Sequence, residues 1–199
     1  MTSESPLTWA NLVTAIRTVA CVVIFGLALV QHSPTLNLIG LGVYWLLDIV
    51  DGALARALHQ ETRIGAQFDI LSDRLLVAFF YLNHLAWHPE QVIPISLFLV
   101  QFMLIDQYLS IQFLRWAKIL SPNYFDRIDP IVFRLNWSWP AKMCNTGLVT
   151  LLLVVAHSIW WASLASLALS GIKIYSMVRV FQLDPAADVE SDMRQTERR

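Results

Sequence analysis

The distribution of lysine and arginine is the feature that most restricts how this chain can fold. Neither residue occurs in the three stretches 18–55, 75–114 and 143–172, which hold 38, 40 and 30 residues. A helix needs about 20 apolar residues to cross the hydrocarbon core of a bilayer. Each longer stretch therefore accommodates a helical hairpin. The shorter stretch accommodates a hairpin whose second helix carries Lys173 in its inner half.

Composition favours a membrane protein over a soluble one. Hydrophobic residues make up 56% of the 199 positions and charged residues 15%, against about a quarter charged in soluble domains. The formal net charge of −1 gives no basic excess for binding nucleic acid. The two cysteines, Cys21 and Cys144, lie far apart in apolar surroundings, so we expect two buried thiols and no disulfide.

The fold class that follows is all-α, a polytopic membrane bundle of six transmembrane helices. All basic residues then lie at or toward one side of the membrane, and the positive-inside rule makes that side, with both termini, cytoplasmic. No basic residue precedes Arg17, so we expect a retained first helix rather than a signal peptide. Residues 1–183 should form the membrane domain and residues 184–199 a polar cytoplasmic tail. The predicted spans are 9–30, 37–58, 65–86, 92–116, 141–157 and 161–182.

Four aspartates lie in the predicted second and third spans, where a lone carboxylate costs about 2.5–3.5 kcal/mol. Asp48 and Asp51 are three residues apart, and Asp69 and Asp73 are four residues apart. Both spacings place the members of a pair on one helix face. A short connection makes the two helices antiparallel neighbours, so the two acidic faces can meet.

Converging carboxylates repel one another unless cations neutralise them. Two divalent ions bridged by the aspartates are one solution, and Mg²⁺ or Mn²⁺ prefer such oxygen ligands. Structural ion pairs are the alternative. They would join Asp51 to Arg56, and Asp69 or Asp73 to Arg63 or Arg74.

Two glycines within these helices favour a bound ligand. Gly52 and Gly65 each cost about 1 kcal/mol relative to alanine inside a helix. Such a cost is accepted where another group must approach the backbone closely. We therefore expect close contacts at both positions.

The aspartates and glycines belong to one longer pattern, Asp48-x-x-Asp51-Gly52-x-x-Ala55-Arg56-(eight residues)-Gly65-x-x-x-Asp69-x-x-x-Asp73. At all eight fixed positions this pattern resembles the signature of the CDP-alcohol phosphotransferase (CDP-alcohol phosphatidyltransferase) family. Six transmembrane helices are also typical of that family. A weaker likeness to the first helix of the family's phosphatidyltransferases covers Asn11-Leu-Val-Thr14-Ala-Ile-Arg17.

The resemblance implies transfer of a phosphatidyl group from CDP-diacylglycerol to a small alcohol, with release of CMP, in phospholipid biosynthesis. It also implies a homodimer, and we expect an integral protein of the bacterial inner membrane. Arg17 would either face the nucleotide or anchor the first helix. By the same likeness, Asp48, Asp51, Asp69 and Asp73 would bind two Mg²⁺ or Mn²⁺ ions, Asp73 would be the catalytic base, and Thr14, Gly52, Ala55, Arg56 and Gly65 would bind the nucleotide.

The acceptor alcohol is not specified by the resemblance. Glycerol 3-phosphate is favoured because Lys142 matches a lysine of the family enzymes that use it, and inositol phosphate, inositol, serine and choline are the alternatives. Arg115 is a second candidate for binding an acceptor phosphate, although the positive-inside rule explains its charge equally well. Asp106, inside the fourth span, should either contact the acceptor or pair with Lys142 or Lys173.

Two other classes of membrane protein place aspartates within the bilayer. Membrane prenyltransferases carry their aspartate motifs on non-adjacent helices and lack the Gly-x-x-Ala-Arg sequence that follows Asp51. An ion transporter could use the four aspartates as a pathway, but transporters often contain repeated halves. No counterpart of residues 48–73 occurs later in the chain.

Overall fold

The computed structural model describes residues 7–185, and within them every regular element is a helix. Three long helices come first, and each is joined to the next by a short turn. The predicted tail at 184–199 lies almost entirely outside the described residues. The helices are α1 (Trp9–Val30), α2 (Pro34–Ala57), α3 (Arg63–Trp87), α4 (Pro89–Arg115), α5 (Pro130–Asn136), α6 (residues 139–155) and α7 (Ile159–Phe181).

Hydroxyl side chains determine where the first three helices begin. Thr8 caps α1 by accepting a hydrogen bond from the backbone N–H of Asn11, and Thr62 caps α3 in the same way. Ser33 caps α2, and Pro34 follows at the first helical position, where its missing N–H costs nothing. The prediction of 37 as the start of α2 was late because it overlooked this cap.

Two helices contain π-helical turns, in which the backbone is locally wider than in an α-helix. They lie at Gln101–Asp106 in α4 and at Met143–Leu148 and Leu151–Val155 in α6. Such turns redirect side chains and are frequent at functional sites. The amide Nε2 of Gln101 donates to Oδ1 of Asn145 at 3.3 Å, so the first two π-turns face each other.

Burial in the bundle departs from that in a soluble protein, because many aliphatic side chains are exposed and several polar ones are buried. The outer face of α1 exposes Ile16, Val19 and Val23, whereas its inner face buries Thr14 and Arg17 completely or almost completely. Exposed aliphatic faces around buried polar groups are what a lipid environment requires. Within residues 7–185, four helices are long and apolar enough to cross a membrane: Trp9–Val30, Pro34–Ala57, Pro89–Arg115 and Ile159–Phe181. These helices indicate an integral membrane protein.

The predicted number of six spans is not established by these four helices. Helix α3 lies where the third span was predicted, but its charged and amide side chains reduce its hydropathy. The segment 139–155 lies where the fifth span was predicted, but it is shorter than the other spans. Six spans therefore stay a prediction.

Aromatic side chains form much of the core. Phe25, Phe80 and Phe98 are fully buried where α1, α3 and α4 meet. A second cluster around Phe125 holds the irregular segment between α4 and α5 against α7. Cys21 is buried in the first cluster as predicted, but Cys144 is exposed. The expectation for Cys144 was wrong because its π-turn presents this side chain to the outside of the bundle.

Candidate active site

A cavity of about 460 Å³ opens among the helices. It is bordered by α1, α2, α3, α4 and α6. Nearly all predicted site residues line this one space. They are Thr14, Asp48, Asp51, Gly52, Ala55, Arg56, Gly65, Asp69, Asp73, Asp106 and Lys142.

The four aspartates of α2 and α3, here called the aspartate quartet (Asp48, Asp51, Asp69 and Asp73), converge as their spacing predicted. Carboxylate oxygens of Asp48, Asp51 and Asp69 lie within 4.8 Å of one another. Asp51 is buried, whereas the side chains of Asp48, Asp69 and Asp73 are 38%, 41% and 26% exposed. The quartet thus forms an acidic surface that is open to the cavity.

Arg17 of α1 is the cation that contacts every member of the quartet. Its guanidinium is completely buried. Its Nη1 lies 2.5 Å from Asp48 and 3.1 Å from Asp51. Its Nη2 lies 2.8 Å from Asp69 and 3.1 Å from Asp73. Nη1 therefore contacts the two aspartates of α2, and Nη2 contacts the two aspartates of α3. Arg17 thus connects three helices.

The arginines predicted as alternative partners of the aspartates have other contacts. Arg63 donates to the backbone carbonyl of Trp116. Arg74 pairs with Asp106 at 2.7 Å. Arg56 lines the cavity, but the quartet is paired with a different arginine. The alternative of ion pairs to these three arginines was wrong, because it overlooked the cation that α1 contributes.

Thr14 lies one turn before Arg17 and contacts the same site. Its hydroxyl donates to Oδ2 of Asp51 at 3.1 Å. The first helix therefore supplies both a neutral donor and a cation to the carboxylates. The likeness of residues 11–17 to the family's first helix coincides with these contacts.

The two glycines of the signature differ in their surroundings. A Cβ added to Gly65 would lie 2.6 Å from Oδ1 of Asn11, so the Asn11 side chain would have to move to accept any other residue. A Cβ added to Gly52 would meet only the guanidinium of Arg56, at 3.4 Å. The close approach predicted at Gly65 is therefore made by α1, while Gly52 borders open cavity.

A second buried cluster surrounds Asp106 at the border of the same cavity. Lys173 lies 2.5 Å from Oδ1 of Asp106, and Arg74 lies 2.7 Å from its Oδ2. Asn145 also donates to Oδ2, at 3.3 Å, and Ser110 accepts from Arg74 at 3.2 Å. Pairing with Lys173 was one of the predicted alternatives for Asp106, and it is confirmed. We call this group the Asp106 cluster.

The two basic residues predicted to bind an acceptor occupy different places. Lys142 lies at the cavity rim and donates to Oδ1 of Asn123 at 2.5 Å, so its predicted pairing with Asp106 is wrong. Arg115 donates to the backbone carbonyls of Val180 and Leu183, both at 3.2 Å. These contacts cap the end of α7 and hold Arg115 outside the cavity, so its acceptor-binding role is not retained.

A hydrogen bond closes one side of the cavity rim. The hydroxyl of Tyr124 donates to Oε2 of Glu61 at 2.6 Å. This bond, with a smaller contribution from burial, raises the pKa of Tyr124 above its usual value, because a phenolate would lose the bond and face a carboxylate. The segment Pro122–Arg127 is thereby attached to the α2–α3 connection.

Arg17 is the functional residue whose role could not be assigned from the sequence. It was recognised as part of the family-like first helix, but not as the partner of all four aspartates. One signal was present: Arg17 is the only basic residue of the first predicted span. Four carboxylates in neighbouring spans favour such a cation nearby.

Comparison with known proteins identifies the family of this chain. The sequence pattern of the CDP-alcohol phosphatidyltransferase family matches residues 7–172. The chain is 51% identical over 49 residues to CDP-diacylglycerol–inositol 3-phosphatidyltransferase of Drosophila melanogaster, covering 21% of this chain and 22% of the relative. It is 36% identical over 55 residues to CDP-diacylglycerol–glycerol-3-phosphate 3-phosphatidyltransferase of Aquifex aeolicus (strain VF5), covering 28% and 31%.

The matched segments thus span less than a third of either relative. No solved structure matches this chain. The family pattern, in contrast, covers most of the sequence and includes every member of the aspartate quartet. This chain belongs to the CDP-alcohol phosphatidyltransferase family.

Proposed function

We propose that this protein transfers a phosphatidyl group from CDP-diacylglycerol to a small alcohol and releases CMP. The observation that carries the proposal is the convergence of three carboxylates within 4.8 Å at a cavity that also contains Asp73. Phosphoryl-type transfer depends mainly on positioning and on charge stabilisation. An acidic site beside a cavity can position a substrate, and divalent ions held by its carboxylates would stabilise the phosphate charge.

The donor set fits a divalent metal. Asp48, Asp51 and Asp69 provide the hard carboxylate oxygens that Mg²⁺ and Mn²⁺ prefer, and the side chains of Asp48 and Asp69 are partly exposed. Asp48, Asp51 and Asp69 would hold two ions, with Asp73 as a further ligand. When bound, such ions neutralise phosphate charge and lower the pKa of a nearby hydroxyl.

Asp73 is the residue proposed to accept the proton. The acceptor oxygen attacks the β-phosphorus of CDP-diacylglycerol, the bond from that phosphorus to CMP breaks, and the hydroxyl proton moves to Asp73. The side chain of Asp73 is 26% exposed, so a substrate hydroxyl can reach it. Its other contact, with Arg17, fixes its orientation.

The nucleotide is proposed to lie over the first part of the signature. Gly52 and Ala55 present a surface without bulky side chains, and the fork of Arg56 can bind a phosphate in two places. Thr14 and Gly65 border the same part of the cavity. Lipid chains would extend from there into the bilayer.

The acceptor is proposed to be glycerol 3-phosphate. Lys142 at the rim offers a partly exposed ammonium group for a phosphate, and the Asp106 cluster provides polar groups deeper in the cavity. The names of the two relatives specify glycerol 3-phosphate in one case and inositol in the other. Inositol, inositol phosphate, serine and choline are therefore the competing acceptors.

The membrane arrangement is proposed to follow the sequence-based prediction. Six spans would place both termini and the cavity mouth at the cytoplasmic side of a bacterial inner membrane. The exposed aliphatic faces leave room for a homodimer contact within the bilayer. Cysteine accessibility at the termini and cross-linking in membranes would test these two statements.

The experiment that tests the proposal is a CMP-release assay on the purified protein. CDP-diacylglycerol is supplied with Mg²⁺ or Mn²⁺ and, in parallel, with each of the five acceptors. We expect CMP release with glycerol 3-phosphate and none with EDTA. Release with another acceptor only would overturn the acceptor assignment, and no release with any acceptor would overturn the activity.

A further inference from the structure

Arg17 contacts only one of the two oxygens of each quartet carboxylate. Each aspartate gives one oxygen to the guanidinium: Oδ1 of Asp48, Asp69 and Asp73, and Oδ2 of Asp51. The second oxygen of each carboxylate is not part of these ion pairs. Because the side chains of Asp48, Asp69 and Asp73 are also partly exposed, their second oxygens can accept another cation from the cavity.

Burial shows on which side Arg17 lies. Its side chain is 0% exposed, whereas Asp48 and Asp69 are 38% and 41% exposed. The guanidinium thus lies behind the carboxylates, within the protein, and the carboxylates face the cavity. It occupies the position of a supporting group rather than that of a ligand-binding group.

The shape of the side chain explains why an arginine is present. A guanidinium has a rigid planar fork, so its two terminal nitrogens can contact separate helices at a fixed spacing. The ring of Tyr44 lies 5.6 Å from the carbon atom Cζ of Arg17 and packs against the same group. An ammonium group at this position could not contact both pairs of aspartates with a fixed geometry.

We infer that Arg17 is a positioning residue that holds one oxygen of every quartet aspartate and thereby orients the carboxylates that a divalent metal would bind. The inference rests on the metal dependence proposed above. Groups that orient metal ligands in this way typically change metal affinity about 10- to 100-fold when they are removed.

Electrostatics alone makes the opposite prediction. Arg17 is a cation next to a cation site, so its removal would strengthen metal binding if charge were its only contribution. A structural arginine with no influence on the ligands would leave the affinity of correctly folded protein unchanged. The sign of the change in affinity therefore separates the three possibilities.

The test is Mn²⁺ binding by the purified full chain in detergent without substrate, measured by calorimetry or by loss of the free Mn²⁺ resonance signal. The variants are Arg17→Gln and Arg17→Lys. Arg74→Gln is the matched control, because Arg74 is also a largely buried arginine near the quartet but pairs with Asp106. Melting temperatures in EDTA report whether each variant is folded.

We expect both Arg17 variants to bind Mn²⁺ about 10- to 100-fold more weakly than the wild type, and Arg74→Gln to bind it no more weakly. Unchanged or tighter binding in the Arg17 variants would overturn the inference. Loss of folding in both variants, with or without Mn²⁺, would assign Arg17 a purely structural role and would also overturn it. Absence of Mn²⁺ binding in the wild type would instead contradict the proposed function.

Discussion

The cavity borders two buried charge clusters that are built in opposite ways. The aspartate quartet has four carboxylates around one arginine, a formal charge of −3. The Asp106 cluster has one carboxylate between Arg74 and Lys173, a formal charge of +1. The first cluster is partly open to the cavity, whereas the Asp106 carboxylate is 5% exposed and has ion-pair partners on both oxygens.

This difference indicates what each cluster does. A site with surplus carboxylates, three of them partly exposed, can receive cations from the cavity. A carboxylate enclosed by two cations already has its partners and primarily joins helices, here α3, α4 and α7. We therefore expect substitutions in the quartet to affect chemistry more than folding, and substitutions in the Asp106 cluster to do the reverse.

The largest expected effect is a loss of turnover when an aspartate of the quartet is replaced. Asp73→Asn keeps the shape of the side chain but removes its capacity to accept a proton, so the rate of CMP release should fall about 10²- to 10⁴-fold. Initial rates at saturating Mn²⁺ measure this change. Asp126→Asn, at an exposed aspartate outside the quartet, is the control. Full activity of Asp73→Asn would exclude the proposed base.

The next effect is on stability in the Asp106 cluster. Asp106→Asn leaves Arg74 and Lys173 beside each other without a carboxylate, which should reduce the free energy of unfolding by about 3–5 kcal/mol. Denaturant titration of the detergent-solubilised protein measures the loss. A double variant that also carries Lys173→Met should recover part of it. Wild-type stability in Asp106→Asn would remove the distinction between the two clusters.

A smaller effect, on the KM of the acceptor, is expected at Lys142 on the cavity rim. Lys142→Ala should raise the KM for glycerol 3-phosphate about tenfold, because a charge-assisted hydrogen bond to phosphate contributes about 1.5–3 kcal/mol. The KM for CDP-diacylglycerol should change little. Arg134→Ala removes an exposed cation outside the cavity and serves as the control. Equal changes in both variants would argue against a phosphate contact by Lys142.

The smallest expected effect is again on stability, but it is a gain, whereas Asp106→Asn should cause a loss. In EDTA, Asp69→Asn removes one ion pair but also the repulsion from the other carboxylates, which should stabilise the protein by about 1 kcal/mol. The melting temperature of the metal-free protein measures this gain. Added Mn²⁺ should raise the melting temperature of the wild type and not that of the variant. A clear destabilisation of Asp69→Asn in EDTA would contradict the account of surplus negative charge.

Much of the fold could be predicted because the membrane imposes a simple pattern on the sequence. The predicted first span, 9–30, coincides with the observed α1, and the other predicted spans overlap observed helices. Errors at helix starts reflect caps such as Ser33. The π-turns of α4 and α6 could not be predicted, since they depend on packing between helices rather than on local periodicity.

The site could be predicted only where its residues are close in sequence. Spacing on neighbouring helices was sufficient to bring the four aspartates together. Arg17 and Lys173 are separated from their aspartate partners by 31 or more residues, and the choice between several available cations is made by tertiary packing. For the same reason the sequence could not separate the Lys173 and Lys142 alternatives for Asp106.

We propose that the aspartate quartet binds the divalent ions on which phosphatidyl transfer depends. The most direct test follows Mn²⁺ binding and CMP release in the same samples of wild type and Asp51→Asn. We expect about two ions per chain in the wild type, CMP release that rises in parallel with occupancy, and neither in the variant. CMP release by Asp51→Asn at the wild-type rate, or by the wild type in EDTA, would contradict the claim.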